Sequence, residues 1–375
     1  MPTVEVIEVE NSSQLARFID YPNRLYKNDE NYVAPLTMER KQFFDFKKNP
    51  FYKTATVKLF LAMRQDEIVG RIATCVNYAH NQFHEEQVGF FGFFDSEDDF
   101  EAASLLLKVA MITLKKAGME KMRGPMNFST NHDCGFLVEG FDSPPVLMMP
   151  YNRPYQPQLA EKFGLKKVMD LLAYKLTDQT IHPERVQAVV ERLSKRHRVN
   201  LRTLNMRDFD GEVERINEIY NQAWQHNWGF VPMDRDEFFY MAKDLKQVVD
   251  PDLVFIAEYD GKPVAFSLAL PNLNQALIYL HGKLLPFGLL KLLWHTKIRN
   301  KVDSVRIITL GIVPDFQKKG IDSMLYASTY ARGVAKGYKW AEMSWILETN
   351  DMMRRGCEQL GGQVYKRYRV VELPL

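Results

Sequence analysis

The sequence predicts an α/β protein made of a duplicated unit, and three observations lead there. A two-strand hairpin pattern occurs twice, at 58–76 and at 252–270. A strand–loop–helix pattern follows each one, at 88–125 and at 305–345. The 375 residues also exceed what one typical hydrophobic core holds, so two domains are the natural expectation.

In the first copy, KLFLAMRQDEIVGRIATCV (58–76) reads as two strands joined by a polar turn at Gln65–Glu67. A strand from Val88 runs into the acidic loop DSEDDFEA, and the apolar-periodic run beyond it predicts a helix that ends near Gly118. Glycine just past the last helical turn supplies the left-handed cap. A helix around Pro157–Phe163 and a strand ending near Leu176 close this copy. The polar TDQTIHPE (177–184) is a linker candidate, and PERVQAVVERLSKRHR has the spacing of an amphipathic helix. The second copy repeats the hairpin in DLVFIAEYDGKPVAFSLAL, with Asp260-Gly261 as a strong turn signal. Its helix ends near Gly337, and GGQVYKRYRVVEL supplies a final strand. A shift of 195 places Val69 on Val264, whereas 219 places Gly118 on Gly337 and Asn131 on Asn350. The second copy therefore carries extra residues between hairpin and helix, at 276–301. The expected domains are 1–176 and 195–375, with 177–194 as linker and helix.

Composition narrows the function. With 49 basic and 47 acidic residues the chain has no general electrostatic footprint for nucleic acid. Three scattered cysteines and eight histidines without paired spacing predict neither a disulfide framework nor a metal site. The N-terminus lacks the order of a signal peptide, and no apolar run is long enough to span a bilayer. A cytoplasmic location is expected.

The stretch IVPDFQKKGIDSMLYA (312–327) places two lysines and a glycine at the mouth of a helix. One reading is an ordinary strand-to-helix turn. The other is a cradle for a phosphate, since a helix N-terminus leaves N–H groups unpaired and carries partial positive charge. The order hairpin, strand, Q-x-x-G-x, helix, strand, Asn, helix, strand resembles the GNAT acyltransferase superfamily. The resemblance covers most of 195–375 and, more weakly, 1–176, so the chain looks like a tandem GNAT protein. That implies two domains, each a mixed, mostly antiparallel sheet flanked by helices, and coenzyme A or acyl-coenzyme A as cosubstrate. It implies cofactor contacts at Ile312, Gln317, Lys318, Lys319, Gly320, Ile321, Asp322 and Asn350. Two features depart from the family pattern: Asp322 stands where the family has Gly or Ala, and Cys357 where many members have an acid Tyr. The aligned loop of the first copy is Asp98-Asp99-Phe100-Glu101, whose carboxylates would repel a diphosphate, so one cofactor site is expected.

The chemistry the resemblance implies, amine attack on a thioester, needs a base for the ammonium and an acid for the leaving thiolate. Glu342 and His226 are base candidates, and Tyr365 or Tyr368 on the last strand could supply the hydroxyl. Alternation along WAEMSWILETN puts Glu342, Ser344, Ile346 and Glu348 on one face. Cys357 reads more simply as a buried helix residue than as a nucleophile. Trp224, Asn227 and Trp228, with His226, combine flat apolar surface with hydrogen-bonding groups, as an acceptor pocket or as an aromatic clasp. A second polar cluster in the first copy, with Asn127, Asn131, His132, Asp133, Tyr151 and Asn152, is either a retained acceptor groove or a set of self-satisfied turns. The insertion KLLPFGLLKLLWHTKIRNK (283–301) fits packing on the protein or peripheral contact with a membrane, which would favour a lipid-linked amine acceptor. Three functions compete: acyl-coenzyme A-dependent N-acylation, Fem-like aminoacyl transfer, and a silent ligand-binding relic.

Overall fold

A computed structural model describes residues 3–177 and 183–375, and residues 178–182 of the linker candidate at 177–184 lie outside them. Two compact units result. The first holds Met1–Leu171, Ala276–Ile298 and Lys366–Leu375, and the second holds Leu172–Gln275 and Arg299–Tyr365.

In chain order the first unit begins with β1 (Val4–Glu8), α1 (Ser12–Leu25), α2 (Thr37–Phe43), β2 (Ala55–Arg64), β3 (Glu67–Asn77) and α3 (Tyr78–His84). It continues with β4 (Val88–Ser96), α4 (Phe100–Lys116), β5 (Lys121–Gly124), β6 (Phe136–Glu139), α5 (Tyr155–Phe163) and the first half of β7 (Lys166–Thr177). β1 to β4 pair antiparallel in order, while β4 and β5 run parallel through Val88–Phe90. The predicted hairpin turns through Gln65 at φ 56°, and Gly118 follows α4 at φ 82°. α4 covers one face with Ala102, Ala103, Leu106, Leu107 and Ala110, all inaccessible to solvent, packed against Ile72 and Phe91.

The second unit contains α6 (Pro183–His197), β8 (Val199–Thr203), α7 (Phe209–Ala223), α8 (Arg235–Leu245), β9 (Val254–Tyr259) and β10 (Lys262–Pro271). In chain order α9 (Asn274–Leu277) and the first unit's α10 (Gly288–Leu293) follow, then the second unit's β11 (Ser304–Ile312), α11 (Ile321–Ala335), β12 (Trp340–Leu347), α12 (Asp351–Gln359) and the start of β13 (Gln363–Pro374). β8 to β11 are antiparallel, and β11 and β12 are parallel. Each unit is thus a mixed, mostly antiparallel sheet with helices on it, as expected. The unit boundaries differ from the contiguous halves read from the repeat. The insertion belongs to the first unit, where the Gly282 carbonyl accepts from Thr37 N at 2.9 Å. The end of β13 also belongs there, because it pairs antiparallel with β5 and β6. Backbone pairing requires a free strand edge, not sequence continuity.

A buried ion network fastens this last strand. Arg123 on β5 bonds Glu86 at 3.0 Å and Glu372 of β13, its cross-strand partner, at 2.7 Å. His80, 2% exposed, shares the Glu86 carboxylate at 2.7 Å. Burial holds the His80 imidazole neutral and pushes its pKa down to about 4, against the pull of Glu86. An unfolded histidine titrates near 6.5, so only the unfolded chain takes up this proton between about pH 6.5 and about pH 4. Stability from this site is complete above that window and is lost as pH falls through it. Wild type should therefore lose up to about 2 kcal/mol more than His80→Gln on acidification from about pH 6.5 to about pH 5, measured by urea unfolding at both pH values.

Candidate active site

The second unit's central strand carries one residue too many, and the site follows from it. Leu268 of β10 faces Thr309, but the next residue, Ala269, faces Ile307, leaving Ile308 as a bulge. Val305 and Ile307 before the bulge, and Leu310 and Ile312 after it, all reach the apolar clusters under α11. The bulge thus resets the alternation so that both halves of β11 keep the same buried face. It also marks where β11 leaves β12: the parallel pairing runs from Ser304↔Trp340 to Ile307↔Met343 and stops. Two central strands thus diverge above a short paired stem.

On the opposite face of that stem, Arg306 and its neighbour Glu342 are buried, at 2% and 0% exposure. Ser344 Oγ donates to Glu342 Oε1, and the Tyr365 hydroxyl donates to Oε2. Arg306 Nε donates to Ser344 Oγ at 3.0 Å, stands 3.9 Å from Glu342 Oε1, and its guanidinium lies 5.3 Å from the centre of the Trp345 ring. A buried carboxylate is tolerable when a cation and hydrogen-bond donors surround it, as here. The hydroxyl–carboxyl contact is also a ready path for a proton. The strict alternation predicted along β12 stops after Ser344, because Ile346 joins the core cluster of Met343. Of the two tyrosines considered, Tyr365 is the one on Glu342. Tyr368 is fully buried in the first unit, opposite Leu137 and close above Gly135.

Beyond β11, a single 3₁₀ turn (Pro314–Phe316) leads to Gln317, whose amide donates to the Ile312 carbonyl at 3.2 Å. Lys318 and Gly320 take left-handed conformations, φ 62° and 79°, and Gly320 is the N-cap of α11. Glycine there has no side chain to offer the first-turn N–H groups. Lys318 and Lys319 are exposed beside them, with the Lys319 ammonium over the Phe316 ring at 4.5 Å. Asp322 is half-buried in the same turn, and Ile321 is fully buried core. These residues fit a diphosphate through backbone N–H groups and two lysines. The first unit differs where it was expected to. Asp99 caps α4 by accepting from Glu101 N at 2.9 Å, and Arg64 pairs with Asp99 and Glu101. Its helix N-terminus is already satisfied.

Asn350 caps α12, accepting from Met353 N at 3.2 Å. Cys357 is fully buried with Sγ 3.8 Å from Met343 Sδ, and burial, then Glu358, pushes its thiol up to about 12. That is a packing residue, not a nucleophile. Trp224 lies on β11: a Cβ on Gly311 would come within 2.5 Å of its indole. Its ring also meets Phe266 and Tyr220 at 5.8 and 4.8 Å. The turn beyond carries Asn227, whose N–H donates to the Trp224 carbonyl at 2.8 Å, with Trp228 half-buried and His226 exposed. In the first unit, Asn131 N donates to Ser129 Oγ at 3.2 Å and the Tyr151 hydroxyl to Asp29 at 2.9 Å. Asn127 Oδ1 accepts from Phe93 N at 2.8 Å. Sequence reasoning missed Arg306, hidden in an apolar run, and Gly311. Among the described residues no group of His, Cys, Asp or Glu could hold a metal, and no helix is long and apolar enough to cross a membrane.

These features define the class of fold: that of the GNAT N-acetyltransferases. Over the whole chain the fold is similar to a tandem GNAT protein from the clavulanic acid biosynthesis pathway, with TM-score 0.57 and 10% identity over 99% of this chain and 98% of that one. A GCN5-related N-acetyltransferase from Sphaerobacter thermophilus gives 0.53 and 12% over 98% and 95%. No family model matches the sequence. The chain is 40% identical to the bacterial ceramide synthase of Caulobacter vibrioides, over 99% of this chain and 98% of the relative. It is 36% identical to protein YghO of Escherichia coli K12, over 96% and 93%. The chain belongs to the family of these two proteins.

Gly311 gives a direct check of the packing. Gly311→Val should displace the Trp224 ring, cost about 1–3 kcal/mol of stability and shift tryptophan fluorescence, read in one denaturant titration.

Proposed function

We propose that the protein transfers a fatty acyl group from coenzyme A to the amine of a long-chain amino alcohol, forming an amide. The observation that carries this reading is the 40% identity, along essentially the whole chain, to a bacterial ceramide synthase, since a ceramide is such an amide. The second unit supplies suitable chemistry. The diphosphate of the thioester would lie on the α11 N-terminus, with Lys318 and Lys319 beside it. The acyl carbonyl would stand where β11 and β12 part. The amine nitrogen attacks that carbonyl, the C–N bond forms and the C–S bond breaks. Glu342 accepts the ammonium proton through Tyr365, and the leaving thiolate takes up a proton to become coenzyme A. Arg306 and Ser344 hold the Glu342 carboxylate in place.

The test incubates purified protein with acyl-coenzyme A of short and long chain and with sphinganine or small amines, following amide by mass spectrometry and thiol release. Amide from the long-chain amine is the expected product. Glu342→Gln should lower kcat by about 100-fold or more, and Tyr365→Phe by about 10-fold with an altered pH profile. Replacing both Lys318 and Lys319 with Glu should raise KM for acyl-coenzyme A by about 10-fold and leave KM for the amine unchanged. Transfer from an aminoacyl donor with none from acyl-coenzyme A would put Fem-like chemistry in place of this reading. Ligand binding without turnover would leave a silent relic.

A further inference from the structure

The insertion between β10 and β11 is ordered yet presents apolar side chains to water. Its inner side is held: the Gly282 carbonyl accepts from Thr37 N at 2.9 Å, and Leu289 N donates to the Leu284 carbonyl at 2.8 Å. Gly288 is packed so closely that a Cβ would come within 2.0 Å of the Lys283 carbonyl. Tyr279 stacks on His295 at 4.0 Å. Through these contacts the helical run formed by α10 and a π-helical turn (Trp294–Ile298) stands on the first unit. Its outer side is the reverse of a normal surface. Leu285, Phe287, Leu290 and Ile298 are each 63–70% exposed, with Leu293 and Trp294 nearly half exposed beside them. Single exposed apolar residues need no explanation, but so many within fourteen positions do.

The charge around the patch says what covers it. From Gly261 to Val302 the sequence contains no Asp or Glu, and Lys283, Lys291, Lys297, Arg299 and Lys301 all fall in or directly after the segment. Lys291 and Lys297 are exposed among the apolar residues. A second copy of this chain would be a poor occupant, because a two-fold contact sets the patch against itself and brings its cations together. An anionic lipid surface meets both needs at once: the apolar side chains and the indole enter the acyl–headgroup boundary, and the lysines meet phosphate.

We propose that residues 285–298 form a docking surface for the anionic face of a lipid bilayer. This stands on the surface chemistry alone and is independent of which amine the second unit acylates. Docked there, the protein lies on the membrane and does not cross it.

The full chain would be sedimented with vesicles of phosphatidylcholine alone and of phosphatidylcholine mixed with phosphatidylglycerol. Binding to the mixture, weakened by salt, is expected, with little binding to the neutral vesicles. A Phe287→Ser, Leu290→Ser, Trp294→Ser triple variant should bind at least about ten-fold more weakly with its thermal melt unchanged. Lys291→Gln with Lys297→Gln should erase the preference for the anionic vesicles. No binding of folded wild type to either vesicle would overturn the proposal. So would a dimer, seen by sedimentation velocity and abolished by the triple variant, which would make the patch a contact between copies.

Discussion

The candidate site depends on the extra residue at Ile308. Were β11 regular, Thr309 and Gly311 would follow Ile307 onto the α11 face, and Leu310 and Ile312 would turn away from it. The bulge prevents this and lets the strand bend away from β12 without uncovering the core. It places Gly311 on the other face, where its missing side chain admits the Trp224 ring. The stem below keeps Arg306 against Glu342, so an ion pair too costly to bury alone is surrounded by Ser344, Trp345 and Tyr365. Opening and aromatic wall both follow from one local insertion in one strand, and the buried acid sits on the regular stem below it.

The first unit has the same device put to a different use. Arg71 of β3 faces Asp95 while Ala73 faces Gly92, so β4 also carries an extra residue, at Phe93, whose φ is 46°. Phe91 and Phe94 thereby share the α4 core, and Phe93 joins Phe18, Phe44 and Phe128 elsewhere. But its strand opening is filled from within. Gly92 lets the Met126 carbonyl approach to where a Cβ would be 2.0 Å away, and Asn127 takes the Phe93 N–H. With Asp99 capping α4, this unit supplies a side-chain cap that the α11 N-terminus lacks. The two units share this backbone frame and differ in the side chains placed on it.

The parts that could be read directly rest on local rules. Asp260-Gly261 makes its hairpin because both residues tolerate positive φ, and Gly118 and Gly337 follow their helices for the same reason. The acidic loop before α4 announced a self-capped helix, and QKKG a glycine N-cap with lysines beside it. Asn350 was harder, since position within the family pattern could not tell a helix cap from a cofactor contact, whereas Cys357 is the buried helix residue its surroundings suggested. Tyr365 and Tyr368, three residues apart on one strand, were indistinguishable until each had neighbours.

By itself, then, the sequence determined the class of fold, the repeated order of elements, the turns and caps, and the contrast between the two helix mouths. All of these are settled within a few residues by steric limits on φ, by side-chain capping and by charge. Only the tertiary structure decided that β13 ends in the first unit, that the insertion stands on that unit with its apolar side outward, and that Arg306, Glu342, Ser344 and Tyr365 meet. These depend on which strand edge is free and on where a bulge reverses the alternation. Both are properties of partners distant in the chain, and no local pattern carries them.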